Sequence, residues 1–287
     1  MRIAYLGPAG TFSEDALRAA APEVEFEWLP QTTIHGAILA VEKGEAERAL
    51  VPLENSSEGS VRMTLDTLAF DAPNVTIAGE FDQPIIQALI ARDAIELGAI
   101  EVLLSHPQAT AQCAGFIRAE LGHAEPRAAT STAEAVLAVA KSPQPWAALA
   151  APAAAAIYGC TVIREGVEDD PGNVTRFVWL APAGTELTGK GPWKTTISFS
   201  ELGDDHPGAL VDALGEFASR EVNLVRIESR PLRPAELGRY MFFADLEGST
   251  ADASVAAAIE GLRGMAENVR IHGSYPVTSD GVPGLRS

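Results

Sequence analysis

The sequence has few cysteines and no arrangement of side chains typical of a metal site. Its only two cysteines, Cys113 and Cys160, are spaced like neither a redox motif nor a zinc motif. Two separate thiols are typical of a cytosolic chain, although one disulfide between them is an open alternative. The five histidines are scattered, and none stands four residues from a second metal ligand. We therefore expect no metal.

Basic side chains are also scarce, since 21 lysines and arginines stand against 39 aspartates and glutamates, a net charge of −18. Nucleic acids and anionic membrane surfaces are bound through clusters of basic residues, so we expect neither as a partner. The imbalance is largest in residues 1–180, with 11 basic and 24 acidic side chains. An anion bound by this part must be held by local groups, because the overall field repels it.

No hydrophobic run is long enough to cross a membrane. The beginning, MRIAYLGPAG, lacks the apolar core of a signal peptide, and the stretch around residues 147–157 is short and mostly alanine. These features predict a cytoplasmic protein. No GxGxxG or Walker pattern occurs, so the sequence indicates no nucleotide, and we expect no cofactor.

Alternating strand-like and helix-like segments up to residue 180 predict an α/β fold. Apolar runs at 3–6 and 49–53 indicate buried strands, while residues 33–43 show helical periodicity. This alternation favours helices on both faces of mainly parallel sheets. The stretch 181–192 has the composition of a linker, and a βαββαβ pattern follows over 195–272.

Four polar clusters stand at the junctions of these elements and predict a shared ligand site. Three follow strands and precede helices, and the fourth opens the last strand before the linker; they span residues 7–13, 54–60, 105–108 and 173–177. Loops at strand ends converge on one crevice in open α/β sheets. For the fourth cluster to join the others, its strand must run antiparallel to its neighbours. The residues alone indicate a pocket for a small polar or anionic ligand.

Each cluster also has a purely structural interpretation. Thr11 and Glu14 fit a helix capping box, and so do Ser105 and Gln108, without any ligand. The serines and asparagine of residues 54–60 are good helix caps as well. A Thr-Arg pair at the start of a strand is unremarkable when taken alone. Only the joint occurrence of the four clusters favours the pocket.

The clusters resemble the signature motifs of the prephenate dehydratase family. The matching stretches are GPAGTFSE (7–14), VPLENSSEGSV (51–61), SHPQATAQC (105–113) and NVTRF (173–177). The last third of the chain is similar to the small regulatory ACT domain, with PGALVDAL (207–214) and VNLVRIESRP (222–231). No segment similar to chorismate mutase precedes Met1, so the sequence resembles the monofunctional form.

The resemblance implies an α/β architecture with a two-lobed, periplasmic-binding-protein-like catalytic domain followed by a ferredoxin-like βαββαβ ACT domain. We expect the catalytic domain at 1–182, the ACT domain at 193–275 and a flexible tail at 276–287. Lobe one would comprise about 1–75 plus 174–180, and lobe two about 76–173. The implied reaction is that of a hydro-lyase, in which prephenate loses CO2 and water to give phenylpyruvate for phenylalanine biosynthesis.

The resemblance also implies roles for individual residues. Thr175 would assist departure of the ring hydroxyl, by hydrogen-bond donation or a proton relay, because its own hydroxyl is a weak acid. Arg176 would pair with a substrate carboxylate, since a guanidinium binds carboxylates bidentately; an ion pair with Glu54 or Glu58 is its structural alternative. The further implied catalytic residues are Asn55, Ser105 and Gln112, and the further implied substrate-binding residues are Thr11, Ser13 and Phe177.

For the ACT domain the resemblance implies phenylalanine as effector, bound between paired domains of two chains in a homodimer or homotetramer. The implied effector-binding residues are Gly208, Ala209, Leu210, Val211, Asn223, Leu224 and Glu228. The stretch 228–231 would join the signals of the two domains. Ordinary strand–helix packing is the structural alternative for this whole set. Tyrosine or tryptophan as a further effector stays open.

Two rival functions are compatible with these residues. The first is an amino-acid or anion sensor without catalysis, which the Thr-Arg-Phe stretch and the missing DNA-binding segment disfavour. The second is dehydration of arogenate, which carries an amine in place of the keto group of prephenate. The acidic charge further predicts that added salt does not weaken substrate capture, since Arg176 and helix N-termini must bind the dianion against the overall field.

Overall fold

The computed structural model describes residues 1–22, 24–189, 191–202, 207–232, 239–277 and 282–283. The strands of these residues, in chain order, are β1 (Arg2–Leu6), β2 (Glu27–Gln31), β3 (Arg48–Asn55), β4 (Gly59–Ser60), β5 (Val75–Pro84), β6 (Ala88–Ala91), β7 (Val102–Ser105), β8 (Glu125–Ala128), β9 (Trp146–Ala150), β10 (Thr161–Glu165), β11 (Val174–Pro182), β12 (Trp193–Ser200), β13 (Leu224–Pro231), β14 (Tyr240–Glu247) and β15 (Asn268–Pro276).

The α-helices are α1 (Phe12–Ala20), α2 (Ile34–Glu42), α3 (Arg62–Asp66), α4 (Pro107–Gln112), α5 (Ala114–Glu120), α6 (Thr132–Lys141), α7 (Ala153–Tyr158), α8 (Ala209–Ala218) and α9 (Ala253–Arg263). A π-helical turn, Thr67–Asp71, continues α3, and Leu97–Ala99 is a 3₁₀ turn. Local signals fix several helix starts. The hydroxyls of Thr11, Thr33 and Ser131 each accept the N–H three residues later, as N-caps do.

Two sheets form the two lobes of the first 182 residues. In lobe one the strand order is β2-β1-β3-β11-β5, with β4 beside β3, and in lobe two it is β10-β6-β9-β7-β8. Strand β11 returns from lobe two and pairs antiparallel with both β3 and β5, as the fourth polar cluster predicts. Helices pack against the sheets around apolar cores in each lobe. The predicted two-lobed architecture is confirmed.

Two details of the predicted layout are wrong. The sheets are mixed rather than mainly parallel, because β11 in lobe one and β6 in lobe two run against their neighbours. Lobe one also extends beyond residue 75, since β5 pairs with β11 along its whole length to Pro84. The chain therefore crosses to lobe two at residues 85–87. Strands β8 and β10 escape the sequence patterns because they are largely exposed edge strands with few buried apolar side chains.

The last part of the described chain forms a separate antiparallel sheet in the order β13-β14-β12-β15, with α8 and α9 packed on it. Its element order is the predicted βαββαβ. This sheet lies against lobe one, and Phe243 and Tyr275 are buried in the lobe-one core beside Ile77 and Leu180. The exact division of the chain into domains at 182 and 193 stays a prediction.

The expected fraying of the tail from Pro276 is wrong at two of its described residues. Val282 is buried among lobe-one core residues, and the carbonyl of Pro283 accepts a hydrogen bond of 3.1 Å from Arg48 Nε. The polar composition of the tail hid this contact, because two residues are too few to form a hydrophobic pattern. The rest of the stretch 278–287 lies outside the described residues.

We expect Gly273→Ala to loosen the contact between the ACT-like sheet and lobe one. A Cβ at this position in β15 would overlap the backbone carbonyl of Ile77 in β5, and backbone cannot move aside as a flexible side chain can. Overpacking of this kind costs about 1–3 kcal/mol and should lower the midpoint of thermal unfolding. The matched control is Gly215→Ala in α8, where an added Cβ meets nothing within 4 Å. Equal midpoints for the two variants would contradict this close approach.

Candidate active site

A cleft of about 940 Å³ lies between the two lobes. Its walls are the junctions that follow β1 and β3, the start of β11, the start of α4 and the start of α6. Six of the eight side chains predicted to bind or act on the substrate line it, namely Thr11, Ser13, Asn55, Gln112, Thr175 and Phe177. The folding of two lobes thus brings three separate sequence clusters and the antiparallel strand β11 to one cavity.

Thr175 and Asn55 form a hydrogen-bonded pair at the floor of the cleft. They face each other across the β11–β3 ladder, and Asn55 Nδ2 donates to Thr175 Oγ1 at 2.9 Å. The amide orientation is fixed because Asn55 Oδ1 accepts the backbone N–H groups of Ser57 and Glu58, at 3.0 and 3.1 Å. Thr175 therefore accepts from Asn55 and keeps its own hydroxyl hydrogen for a group in the cleft.

Thr11 serves as the N-cap of α1, as its structural interpretation predicts. Its hydroxyl donates to the Leu6 carbonyl at 2.9 Å and accepts the N–H of Glu14 at 3.4 Å. The Glu14 carboxylate in turn accepts the Gly10 N–H at 2.6 Å. These bonds occupy the Thr11 side chain, so an anion at this wall would meet the backbone N–H groups of the first helical turn, which have no partner within the helix.

The lobe-two wall contains Gln112 but not Ser105. Gln112 accepts from Gln87 Nε2 at 3.2 Å and donates to Glu58 Oε1 in lobe one at 3.4 Å, so it links the two sides of the cleft. Ser105 is 1% exposed, lies outside the lining, and donates to the Leu149 carbonyl at 2.9 Å. Its predicted catalytic role is not supported, because the hydroxyl is turned into the sheet of lobe two.

Arg176 points away from the cleft, contrary to its predicted role as a carboxylate partner. Successive side chains of a strand alternate between faces, and Thr175 and Phe177 take the cleft side. On the other face the Arg176 guanidinium lies 2.7 Å from Asp245, 3.1 Å from Glu54 and 3.6 Å from Glu80. The alternative of an ion pair with Glu54 is therefore the observed one. Asp245, from β14, joins the ACT-like sheet to the strand that carries Thr175.

The described residues that line the cleft include no lysine or arginine, and the one carboxylate among them is Glu134. Local attraction for an anion therefore comes from helix N-termini and neutral donors. The N-termini of α1 and α6 both open on the cleft, through Phe12 and Ser13 on one side and Thr132 on the other. Aligned peptide dipoles make such ends partly positive.

Tyr158 and Gln87 are among the cleft residues that the sequence patterns missed. Tyr158, at the end of α7 in lobe two, donates to the Ala9 carbonyl in lobe one at 2.5 Å and so bridges the cleft. Gln87 is buried at the crossover between lobes, and its Oε1 has no hydrogen-bond partner among the described residues. An isolated Tyr or Gln carries no local signal. The α6 wall of the cleft had one local signal in the sequence, the stretch S-T-A-E at 131–134, which fits a capping box at a helix start.

The described residues contain no group of three or more His, Cys, Asp or Glu side chains placed to hold a metal ion. Within the same residues, no helix has both the length and the apolar character needed to cross a membrane. Cys113 is buried, and burial raises the pKa of its thiol to about 12. That shift makes a thiolate nucleophile at this position unfavourable.

Comparison with known families assigns both parts of the chain. Residues 3–185 match the family model "Prephenate dehydratase", and residues 196–264 match the model "ACT domain". The chain belongs to the prephenate dehydratase family. It is an enzyme of the hydro-lyase class with a C-terminal ACT domain.

Relatives of the same organisation extend over nearly the whole chain. A prephenate dehydratase of Lactococcus lactis subsp. cremoris is 38% identical over 284 residues, which are 98% of this chain and 99% of the relative. The crystal structure of the Arthrobacter aurescens prephenate dehydratase in complex with L-Phe is 37% identical, with a TM-score of 0.86, covering 100% of this chain and 93% of that one. A protein described as GqqA, a novel type of quorum quenching acylase, is 32% identical with a TM-score of 0.84, covering 97% and 98%.

The residues predicted to bind the effector lie around α8 and along β13 of the ACT domain. Gly208, with φ of +104°, precedes α8, which carries Ala209, Leu210 and the 71% exposed Val211. Asn223 and Leu224 open the edge strand β13. Glu228, farther along β13, accepts from Ser60 Oγ in lobe one at 3.2 Å, and Arg230 pairs bidentately with Asp66. The stretch 228–231 thus contacts the catalytic part, and its role in joining the signals of the two domains stays a prediction.

Proposed function

We propose that this protein converts prephenate into phenylpyruvate, CO2 and water in the cytoplasm, under regulation by L-phenylalanine. The observation that carries the proposal is the Asn55–Thr175 pair on the floor of the cleft. Because Asn55 Nδ2 is a donor, it cannot take a proton from Thr175. The threonine is thereby arranged as a hydrogen-bond donor to a ligand rather than as a nucleophile.

The reaction needs few catalytic groups. The C–C bond to the ring carboxylate breaks as CO2 leaves, and its electron pair moves into the ring. The C–O bond opposite then breaks, the ring becomes aromatic, and the departing hydroxide takes up one proton to give water. No covalent intermediate or electron sink is required, since aromatisation drives the loss. The enzyme must align the ring, hold two carboxylates and stabilise the departing oxygen.

Thr175 stabilises the departing oxygen by hydrogen-bond donation in this proposal. Its hydroxyl lies at the start of β11, polarised by the Asn55 amide, and donation to a developing hydroxide is worth more in the transition state than in the bound substrate. The proton itself comes from water or through a relay, because an isolated threonine is too weak an acid. Gln112, which contacts Gln87 and Glu58, would close over the ring from lobe two.

The two carboxylates are held without a cationic side chain from the described cleft lining. The N-termini of α1 and α6 offer backbone N–H groups from opposite walls, and their dipoles favour anions within a turn of each end. Ser13 and Phe177 would complete the substrate-binding surface. Local donors of this kind fit a strongly acidic chain, which cannot rely on long-range attraction.

Regulation by L-phenylalanine would act through paired ACT domains in a homo-oligomer. The related Arthrobacter aurescens enzyme was crystallised with L-Phe. In the present chain, exposed apolar side chains collect on α8, β13 and the start of β14, namely Val211, Val225, Ile227 and Tyr240. Such a surface beside an open edge strand supports pairing of two ACT domains around a ligand at Gly208–Val211 and Asn223.

The acylase relative supplies a second hypothesis, which the cleft favours less. Acyl transfer by a hydroxyl requires a base placed to accept its proton. The Thr175 hydroxyl accepts a hydrogen bond from the amide of Asn55, which is a donor and not a base. This arrangement supports dehydration over hydrolysis.

The test is an assay of the purified full-length protein against three substrates: prephenate, arogenate and an N-acylated amine. We expect phenylpyruvate from prephenate, with kcat/KM roughly tenfold above that for arogenate, because the arogenate ammonium would face positive helix ends. Hydrolysis of the N-acyl bond without phenylpyruvate release would replace the proposal by the acylase function. A chain that binds prephenate without turnover would be a sensor.

A further inference from the structure

An ion-pair cluster across the domain interface lies directly behind the Asn55–Thr175 pair. The cluster comprises Arg176, Glu54 and Glu80 of lobe one and Asp245, Arg226 and Lys194 of the ACT domain. In the β11–β3 ladder Thr175 faces Asn55, and the next pair along is Arg176 with Glu54. Side chains alternate between faces along each strand. The Thr175–Asn55 pair therefore faces the cleft, and the Arg176–Glu54 pair directly after it faces the ACT domain.

Asp245 is the centre of the cluster. It is fully buried and accepts from Arg176 Nη2 at 2.7 Å, from Arg226 Nε at 2.9 Å and from Thr196 Oγ1 at 2.8 Å. Burial alone would raise the pKa of the Asp245 carboxyl, but Arg226 and Arg176 hold it well below its usual range. The carboxylate is thus charged and bound from both domains, so neither domain can shift here without breaking a charged hydrogen bond.

The β11–β3 ladder has a bulge beside this cluster, next to Thr175. The register between β11 and β3 shifts after Arg176, where Phe177 pairs with Pro52 and Leu53 is the extra residue of β3. Bulges of this kind re-aim neighbouring side chains and are frequent next to active sites. Thr175 and Arg176 therefore lie beside this bulge, with their side chains on opposite faces of β11.

On the ACT side the cluster continues into the predicted effector site. Arg226 pairs with Asp245 in the β13–β14 ladder and stands two residues after Leu224, on the same edge strand. A change in the position of β13 when an effector binds would reach Arg226 first, then Asp245, then Arg176. A contiguous chain of contacts thus links the effector strand to the catalytic strand.

We propose that Arg226, Asp245 and Arg176 transmit the effector state of the ACT domain to Thr175, with Arg176 as a positioning residue for the catalytic hydroxyl. This inference rests on the proposed function. A tightly held Asp245 fixes β11 in one alignment, and a shifted β13 releases it into another. Allosteric coupling requires that the effector bind the two arrangements with different affinity.

The experiment measures kcat and KM for prephenate with and without saturating L-phenylalanine, and the Kd of L-phenylalanine by calorimetry. In the unmodified enzyme we expect L-phenylalanine to change kcat/KM by about 5- to 150-fold. In Asp245→Asn this factor should fall below about twofold while the Kd of L-phenylalanine stays within about threefold. Its basal kcat should fall and its KM should change little. The loss of the phenylalanine response at a retained Kd is what separates a positioning role from partial unfolding, which would lower apparent kcat but leave the response of the folded enzyme intact.

The matched control is Thr76→Val, which removes another hydrogen bond across the same interface, that from Thr76 Oγ1 to the His272 carbonyl at 3.0 Å. It should keep the response of the unmodified enzyme. A response retained in folded Asp245→Asn, or lost equally in both variants, would overturn the proposal.

A milder variant guards against loss of the fold. Thr196→Val keeps every ion pair and removes the hydrogen bonds of Thr196 Oγ1 to Asp245 and to the Tyr275 hydroxyl. If Asp245→Asn does not fold, a reduced phenylalanine response in Thr196→Val supports the proposal and an undiminished response overturns it. Phenylpyruvate production that never responds to L-phenylalanine would remove this inference and the regulatory part of the proposed function, whereas absence of phenylpyruvate would remove its catalytic part.

Discussion

Replacing Thr175 by valine is expected to lower kcat for prephenate by about 10²- to 10³-fold. Valine keeps the shape and the β-branch of threonine, so β11 should retain its pairing with β3 and β5. The variant loses only the donor that stabilises the departing oxygen, and it leaves Asn55 Nδ2 facing a methyl group. Because that interaction strengthens in the transition state, KM should change by less than about threefold.

The control for this prediction is Thr175→Ser, which restores the hydroxyl on the same backbone. We expect it to recover most of the lost kcat, with the remainder lost to the freer rotation of serine. Rates are measured by phenylpyruvate absorbance at saturating prephenate, and circular dichroism checks the fold. Turnover close to that of the unmodified enzyme in Thr175→Val would exclude Thr175 from the mechanism.

Replacing Arg176 by methionine should chiefly destabilise the protein rather than weaken substrate binding. Methionine leaves Asp245, Glu54 and Glu80 without the guanidinium that lies among them, and Arg176 is only 12% exposed. Breaking a buried pair by removing one partner costs about 3–5 kcal/mol. The midpoint of thermal unfolding should therefore fall by roughly 10 °C, while KM for prephenate stays within about threefold.

Arg263→Met is the control for this second prediction. Arg263 forms an exposed pair with Glu260 on α9, and such pairs contribute little. Its midpoint should match that of the unmodified protein. A KM raised more than about tenfold in Arg176→Met with an unchanged midpoint would restore the sequence-based role of Arg176 as a carboxylate partner.

The orientation of Arg176 also changes the basis of the prediction about added salt. The sequence predicts that Arg176 and helix N-termini bind the substrate locally. In the structure, however, Arg176 forms ion pairs with three carboxylates on the far side of the sheet. Helix N-termini remain as the local source of attraction. The prediction that added salt does not weaken substrate binding therefore stays, but it no longer includes a contribution from Arg176.

Local sequence patterns were sufficient to place a site residue where its position follows from the strand or helix next to it. Thr11, Asn55 and Thr175 follow or open apolar strands, and polar residues at such junctions can be placed at a sheet edge from the sequence alone. The antiparallel course of β11 followed from a single requirement, that its polar start reach the other clusters. The βαββαβ order of the ACT domain was readable for the same reason, since strand and helix periods differ.

The sequence by itself determined the family, the two-lobed α/β class and the ACT domain, and six of the eight side chains predicted for the site line the cleft. The tertiary structure alone decided that Ser105 turns into its own sheet, that Tyr158 bridges the lobes and that Arg176 serves the domain interface. Strand alternation places Arg176 opposite Thr175, but the sequence does not show which of the two faces the cleft or which distant group each side chain meets. These are set by strand pairing, by the approach of the two lobes and by distant elements such as β14, which contributes Asp245.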